Sequence, residues 1–332
     1  MLITKPSYFD SFRCIASACP DSCCKEWDVQ VDAASAGYYR SLPGNLGDAL
    51  REKLYDEDGA TYLAITDGRC PMWRTDGLCR IQAELGEKAL CKTCREFPRL
   101  THDYGDFVEM GLEMSCPEAA RIILSTPAED WITVEIPGGE APGYDTDAMA
   151  VLKRTRKAML SILSDSRYSV SETMVLGLLY GYQAQAELDG DETQPFDAES
   201  ALESAANLAK PGNPADIPDF FQSLEILTPQ WRQRLQHPAA VAFPEFCRPL
   251  ARYFVERYWL QAVSDYDLYC RVKFIFLSCL LISVLGGDFT ETAQLYSKEI
   301  ENNTANVEAL LDAAYAHPAF TDEKLLGMLL AI

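Results

Sequence analysis

Nine of the twelve cysteines in this 332-residue chain fall between Cys14 and Cys116. Their spacings read Cys14-x4-Cys19-x3-Cys23-Cys24, then Cys70-x8-Cys79-x11-Cys91-x2-Cys94, and then Cys116. Thiols so concentrated can form disulfides, pack as small hydrophobes or ligate metal. A disulfide framework is disfavoured, because Met1–Asp10 holds no apolar stretch of the secretory kind and the regional count is odd. Inert packing suits Cys247, Cys270 and Cys279, each set in an apolar helical pattern. It does not suit nine thiols in one loop-rich stretch. Metal ligation needs soft thiolates drawn together by tight turns, which Cys91-x2-Cys94 and Cys19-x3-Cys23 supply. The adjacent pair Cys23-Cys24 is awkward for one tetrahedral zinc; it can reach two metal atoms, or one thiol can ligate while the other packs. An iron–sulfur cluster accepts such a pair more readily, so iron is favoured and zinc stays as the alternative. Nine thiols also exceed the four that one site needs, which leaves room for a second site or for spectators.

Other constellations are weaker. The radical type of S-adenosylmethionine enzyme carries Cys-x3-Cys-x2-Cys; starting from Cys19, its third position holds Glu26. No Gly-x-Gly-x-x-Gly stands after a strand, and neither a Ser–His–Asp nor a Walker arrangement can be picked out. The histidines are His102, His237 and His317, the last two directly before proline. A surface or capping role suits His102 better than metal ligation. Trp27, Tyr104 and Phe107 could wall a lysine-holding site, although core packing is the commoner use of aromatic rings.

These groups need elements to hold them. In the first part, Trp27–Val31 and Thr61–Thr66 read as brief strands, and Leu78–Leu90 and Ser115–Leu124 as helices, the second with Ser115 as N-cap. The rest of that part is loop, and so small a core is usually stapled by disulfides or metal. Beyond it, 147–163, 169–187, 196–209, 244–263, 265–285, 290–301, 306–316 and 322–330 carry helical apolar spacing, with Ser169 and Glu172 as a capping box. Residues 1–125 hold 14 basic and 20 acidic side chains, net −6, and the remainder 15 and 30, net −15. Pro137, Gly138, Gly139, Pro142 and Gly143 mark a linker between them. The expected architecture is mainly α. A loop-rich, cysteine-cluster metal-binding region with short strands occupies 1–125, a linker 126–145, and an all-α helical domain 146–332.

With 29 Lys and Arg against 50 Asp and Glu, the net charge is −21. That disfavours nucleic acid and an anionic membrane surface as partners, and favours one that presents lysines. The longest apolar run, Phe274–Leu285, is 12 residues, short for a bilayer span. A cytoplasmic protein is expected.

The cysteine region resembles a known family. Phe12-Arg13-Cys14 through Cys19-Pro20-Asp21-Ser22-Cys23-Cys24-Lys25-Glu26-Trp27 is similar to the opening of the flagellin lysine-N-methylase (FliB-type) family. So are Cys70-Pro71, Gly77-Leu78-Cys79-Arg80-Ile81-Gln82, Cys91-Lys92-Thr93-Cys94-Arg95-Glu96-Phe97-Pro98-Arg99 and Ser115-Cys116-Pro117-Glu118. A looser form of the pattern resembles a wider group of zinc- or iron-chelating cysteine-cluster proteins. The resemblance covers roughly residues 8 to 125. It implies methyl transfer from S-adenosylmethionine to flagellin lysines, and a cysteine-bound [4Fe-4S] centre or zinc. Cys19, Cys23, Cys24, Cys70, Cys79 and Cys94 match both patterns, and Cys14 and Cys116 the narrower one, so these eight are the implied metal ligands. No residue is assigned to the methyl donor or to a catalytic base. The alternative is a non-catalytic metal-binding or sensing module with a helical protein-interaction domain. A substrate is expected in a groove between the two parts.

Overall fold

The computed structural model describes residues 1–25, 27–127, 131–239 and 244–331. Seven short strands are described: β1 Leu2–Pro6, β2 Val29–Val31, β3 Leu54–Glu57, β4 Ala60–Leu63, β5 Arg99–Asp103, β6 Phe107–Leu112 and β7 Trp131–Glu135. They build two sheets, ordered β5-β6-β1-β7 and β2-β4-β3. The pair β1–β6 is parallel and the other pairs are antiparallel. The two strands expected from alternation are β2 and β4. The larger sheet was not visible, because Thr4, Lys5, His102 and Glu109 interrupt the apolar pattern of its strands. Its last strand lies within the expected linker 126–145, of which 128–130 lie outside the described residues.

Fifteen α-helices are described: α1 Ala33–Ser41, α2 Gly44–Lys53, α3 Arg80–Leu85, α4 Lys92–Glu96, α5 Pro117–Ser125, α6 Thr146–Ser164, α7 Val170–Leu188, α8 Ala198–Leu208, α9 Asp216–Gln222, α10 Pro229–Gln236, α11 Cys247–Tyr258, α12 Leu268–Leu285, α13 Phe289–Tyr296, α14 Thr304–Ala316 and α15 Asp322–Leu330. The chain is mainly α. The Ser169–Glu172 capping box opens α7 as its sequence requires. The helix expected over 78–90 divides at Gly86, whose φ of 84° ends α3 before a 3-10 turn. Ser115 does not cap α5. Its hydroxyl donates to Glu113 at 2.5 Å, and Cys116 takes the N-cap position. Helices α1, α2 and α4 lie where loop was expected, and α9 and α10, which polar residues hide, were not expected either.

The axis of the fold is α12, buried along its whole length. It is longer than the run that marks it in sequence, because two charged residues inside the helix are neutralised locally. Arg271 pairs with Asp265 at 2.8 Å and Lys273 with Asp322 at 3.0 Å. By length and composition these 18 residues could cross a membrane, but protein covers all of them. Helix α7 packs closely on α12 through Gly177 and Gly181. A Cβ there would fall 2.3 Å from Phe276 Cζ and from Val272 Cγ1.

Apolar packing follows a different line from composition. Val29, Val31, Tyr39, Leu50, Leu63, Cys70, Met72, Ile81 and Cys91 belong to a small separate core. Tyr8, Phe9, Phe12, Phe107, Leu112 and all the buried apolar residues of α5 join the large helical core instead. The stretch carrying most of the cysteines thus stands as a satellite on a body built from both ends of the chain.

Candidate functional site

Backbone pairing brings thiols that are distant in sequence together. The amide of Cys70 donates to the carbonyl of Cys24 at 2.7 Å, and Lys25 bridges to Arg69 beside it. Both cations then lie over the Trp73 ring, Arg69 at 4.6 Å and Lys25 at 5.4 Å from its centroid. Trp73 bridges to Cys79, and the Arg80 amide donates to Met72. One ladder therefore carries Cys24, Cys70 and Cys79. The fourth contributor is the turn into α4. There Thr93 Oγ1 and Lys92 N bond to Gln30 O and Asp32 Oδ2, each at 2.8 Å, and dock Cys91 and Cys94 on β2.

The thiols form two adjoining neighbourhoods. In one, the charge of Cys24 acts on Cys70, Cys79 and Cys94, and that of Cys91 on Cys79 and Cys94; in the other, the charge of Cys14 acts on Cys19, Cys23 and Cys116. Cys23 and Cys24 sit at the junction. Hydrogen bonds from Cys23, Cys70 and Ser22 pull the Cys24 thiol far below its ordinary range, and Cys23 is pushed up by the same bond. Cys91 is likewise lowered by Cys94. Burial raises Cys79 and Cys116, while first-turn amides of α3 and α5 work against it. All eight implied ligands thus fall in one region, together with Cys91, which the resemblance leaves out. Cys247, Cys270 and Cys279 are buried apart from it, in α11 and α12.

This donor set fits a soft metal in number and in the softness of its sulfur donors. Among the described residues, however, no three His, Cys, Asp or Glu side chains close a coordination shell. The residues that would hold a cluster are neighbours drawn from several loops rather than a finished cage.

The expected aromatic wall is divided. Trp27 meets Phe97 edge-on, whereas Tyr104 stacks on Phe107, over which the chain's own Lys153 lies at 3.5 Å. His237 and His317 occupy the C-cap positions of α10 and α14.

A second constellation escaped sequence reading. In the β5–β6 ladder His102 faces Glu109 and Leu100 faces Gly111, so the period of two puts all four side-chain positions on one face. Tyr253, Glu256 and Arg257 share one face of α11 by their i, i+3, i+4 spacing. Between these faces lies a small, partly open cavity of about 30 Å³, bordered by Tyr8 and Trp131. Its charges are mostly paired. Arg156 binds both oxygens of Glu109, at 2.6 and 2.8 Å. Arg257 lies 3.2 Å from the buried Glu301 and donates to Tyr253 Oη at 2.7 Å. Trp131 Nε1 donates to Glu256 Oε1 at 3.3 Å. Only the helical spacing on α11 could have signalled this site.

The chain is 35% identical over 134 residues to the flagellar biosynthetic protein FliU of Salmonella muenchen, a match covering 38% of this chain and 78% of that protein. It is 34% identical over 132 residues to the lysine-N-methylase of Salmonella typhimurium strain LT2, and 35% over 135 to that of Salmonella choleraesuis. These two matches again take 38% of this chain but span only a third, 33%, of either methylase. No protein-family model matches the sequence, and no solved structure matches it.

Proposed function

The chain belongs to the flagellin lysine methylase family, and we propose that it transfers methyl groups from S-adenosylmethionine to lysine side chains of flagellin, with a cysteine-ligated iron–sulfur centre in its N-terminal part. The observation that carries this reading is the gathering of nine thiols from separate segments of the chain into two adjoining neighbourhoods. The names of the related proteins support the lysine-methylating activity and the link to flagella. The acidic charge of −21 supports a partner that presents lysines.

Cys24, Cys70, Cys79 and Cys94, with Cys91 beside them, would hold the metal, and Cys14, Cys19, Cys23 and Cys116 adjoin it. Bound there, an iron–sulfur cluster supplies a thiolate-anchored charge centre that fixes the loops carrying these residues. The protein's own part is to orient and deprotonate the substrate. A lysine ammonium has no lone pair, so it must first lose a proton. The amine nitrogen then attacks the sulfonium methyl in line; the N–C bond forms, the S–C bond breaks, and its electron pair stays on sulfur as a neutral thioether.

Anaerobically purified protein incubated with methyl-labelled S-adenosylmethionine and flagellin tests the reading. Label recovered in flagellin lysines, from brown protein containing iron and sulfide, is the expected result. Metal without label transfer would instead favour a metal-binding or sensing module with a helical interaction surface.

A further inference from the structure

We propose that the cavity between the β5–β6 face and α11 receives the ammonium end of a substrate lysine, and that His102 accepts the proton that frees the amine. The identity of the ligand as lysine rests on the methylating function proposed above; the cation preference of the cavity does not.

Three features favour a cation on an aliphatic stem. The side walls are Tyr8, Trp131 and Tyr253, rings that cover methylenes; Arg156 lies 5.4 Å from the Trp131 centroid and Arg257 5.9 Å from that of Tyr253, which shows that these rings hold cations. The floor is open at Gly111, where an added Cβ would meet nothing within 4 Å. The charge balance points the same way. Glu109 is saturated by Arg156, and Arg257 by Glu301 and Tyr253, whereas Glu256 has its Oε1 engaged by Trp131 and lies 3.9 Å from Arg252 Nε. No hydrogen bond reaches Glu256 Oε2 among the described residues. Burial pushes the Glu256 carboxyl above its usual range, against the pull of Arg252 and the Trp131 N–H. An arriving cation lowers it again, so binding and ionisation reinforce each other.

His102 is placed to take the proton. Its Nε2 is buried and has no hydrogen-bond partner among the described residues. The groups around it are Glu109 on the neighbouring strand, Tyr8 on the side wall, and Tyr253, Glu256 and Arg257 on α11. Burial and Arg257 hold the imidazole below its ordinary value of 6.5, with Glu109 opposing, so the ring is a neutral acceptor at physiological pH. The step balances: one N–H bond of the ammonium breaks, its electron pair remains on the amine, and the proton bonds to Nε2 to give an imidazolium that returns it to solvent.

The test uses the full chain and n-butylammonium as probe, with butyrate and n-butanol as controls, followed by calorimetry. Wild type is expected to bind butylammonium in preference to both controls. Gly111→Ala and Gly111→Leu should weaken it progressively, the second by about tenfold or more, and Glu256→Gln by about tenfold. Circular dichroism identifies any variant that fails to fold, and the graded pair at Gly111 keeps one arm readable. In flagellin methylation, His102→Asn should lower kcat by about a hundredfold and leave the KM for the methyl donor unchanged, with the rate recovering as pH rises. Equal butylammonium binding by wild type and a folded Gly111→Leu, or a preference for butyrate, would overturn the cavity assignment. Butylammonium binding without any methyl transfer would leave the cavity standing and remove the methylating function.

Discussion

The ammonium of Lys298 lies 3.0 Å from Oδ2 of Asp21, which joins the π-helical turn after α13 to the loop between Cys19 and Cys23. Gln294 extends the joint, donating to Asp21 Oδ2 at 3.3 Å and to Ser115 O, beside Cys116, at 2.8 Å. Burial alone would raise the Asp21 carboxyl. The Lys298 charge and hydrogen bond, with the Ser22 amide and Lys25, hold it below its ordinary range instead. The helical body therefore grips the cysteine satellite by the acidic residue of its Cys-Pro-Asp-Ser-Cys-Cys segment.

Breaking that grip should be measurable. Asp21→Asn takes the carboxylate from a lysine that is 4% exposed and is expected to cost about 1–3 kcal/mol in denaturant unfolding. Lys298→Met should cost a comparable amount, and the double variant less than the sum. Additive losses would show that the pair does not couple the two parts.

Metal content should separate the two classes of cysteine. Replacing Cys24, Cys79 or Cys94 by Ser should release iron and loosen the satellite, whose small core depends on those loops. Cys270→Ser should keep the metal, since that thiol lies on α12 and donates to Asp267 O at 3.4 Å. Equal retention in both classes, measured by metal analysis and visible absorbance, would remove the distinction.

The close approach of α7 to α12 sets a steric limit. Gly181→Ala places a methyl 2.3 Å from Val272 Cγ1 and 2.9 Å from its Cβ, in a β-branched side chain with little freedom to turn. We expect a loss of about 1–3 kcal/mol, read as a lower urea midpoint at unchanged slope. An unshifted midpoint would mean that the helices separate at little cost.

His102 predicts an acid-sensitive term in stability. Its folded pKa lies below the unfolded value of 6.5, chiefly through burial. Below that value the unfolded chain takes up the proton first. The stabilisation is thus complete above pH 6.5 and declines as pH falls through the folded pKa. Unfolding midpoints of wild type should drop more between pH 8 and pH 5 than those of His102→Gln. A parallel drop in both proteins would assign the acid sensitivity elsewhere.

The proposed association with flagellin should respond to salt. At net −21, raising ionic strength from low to physiological shortens the Debye length from about 30 Å to about 8 Å. The association rate should fall while dissociation changes less. A rate independent of salt in stopped-flow measurements would exclude long-range steering.

Local chemistry alone determined a good part of this protein. The Ser169–Glu172 box, the apolar period of α6, α7 and α14, and the confinement of nine thiols to one third of the chain were all legible, because each depends on residues within a few positions of one another. What surrounds those residues was decided only by the fold. Cys24 meets Cys70 because a backbone hydrogen bond joins their loops, and Arg271 and Lys273 are carried inside α12 because Asp265 and Asp322 are there to neutralise them. The cavity at His102 arises from a strand register on one side and a helix face on the other, contributed by Leu100–Leu112 and Tyr253–Arg257. A polar residue in a short strand reads as a break in the apolar pattern; only packing against a second element turns it into the lining of a site, since the partner that desolvates it and fixes its charge lies far away in the chain.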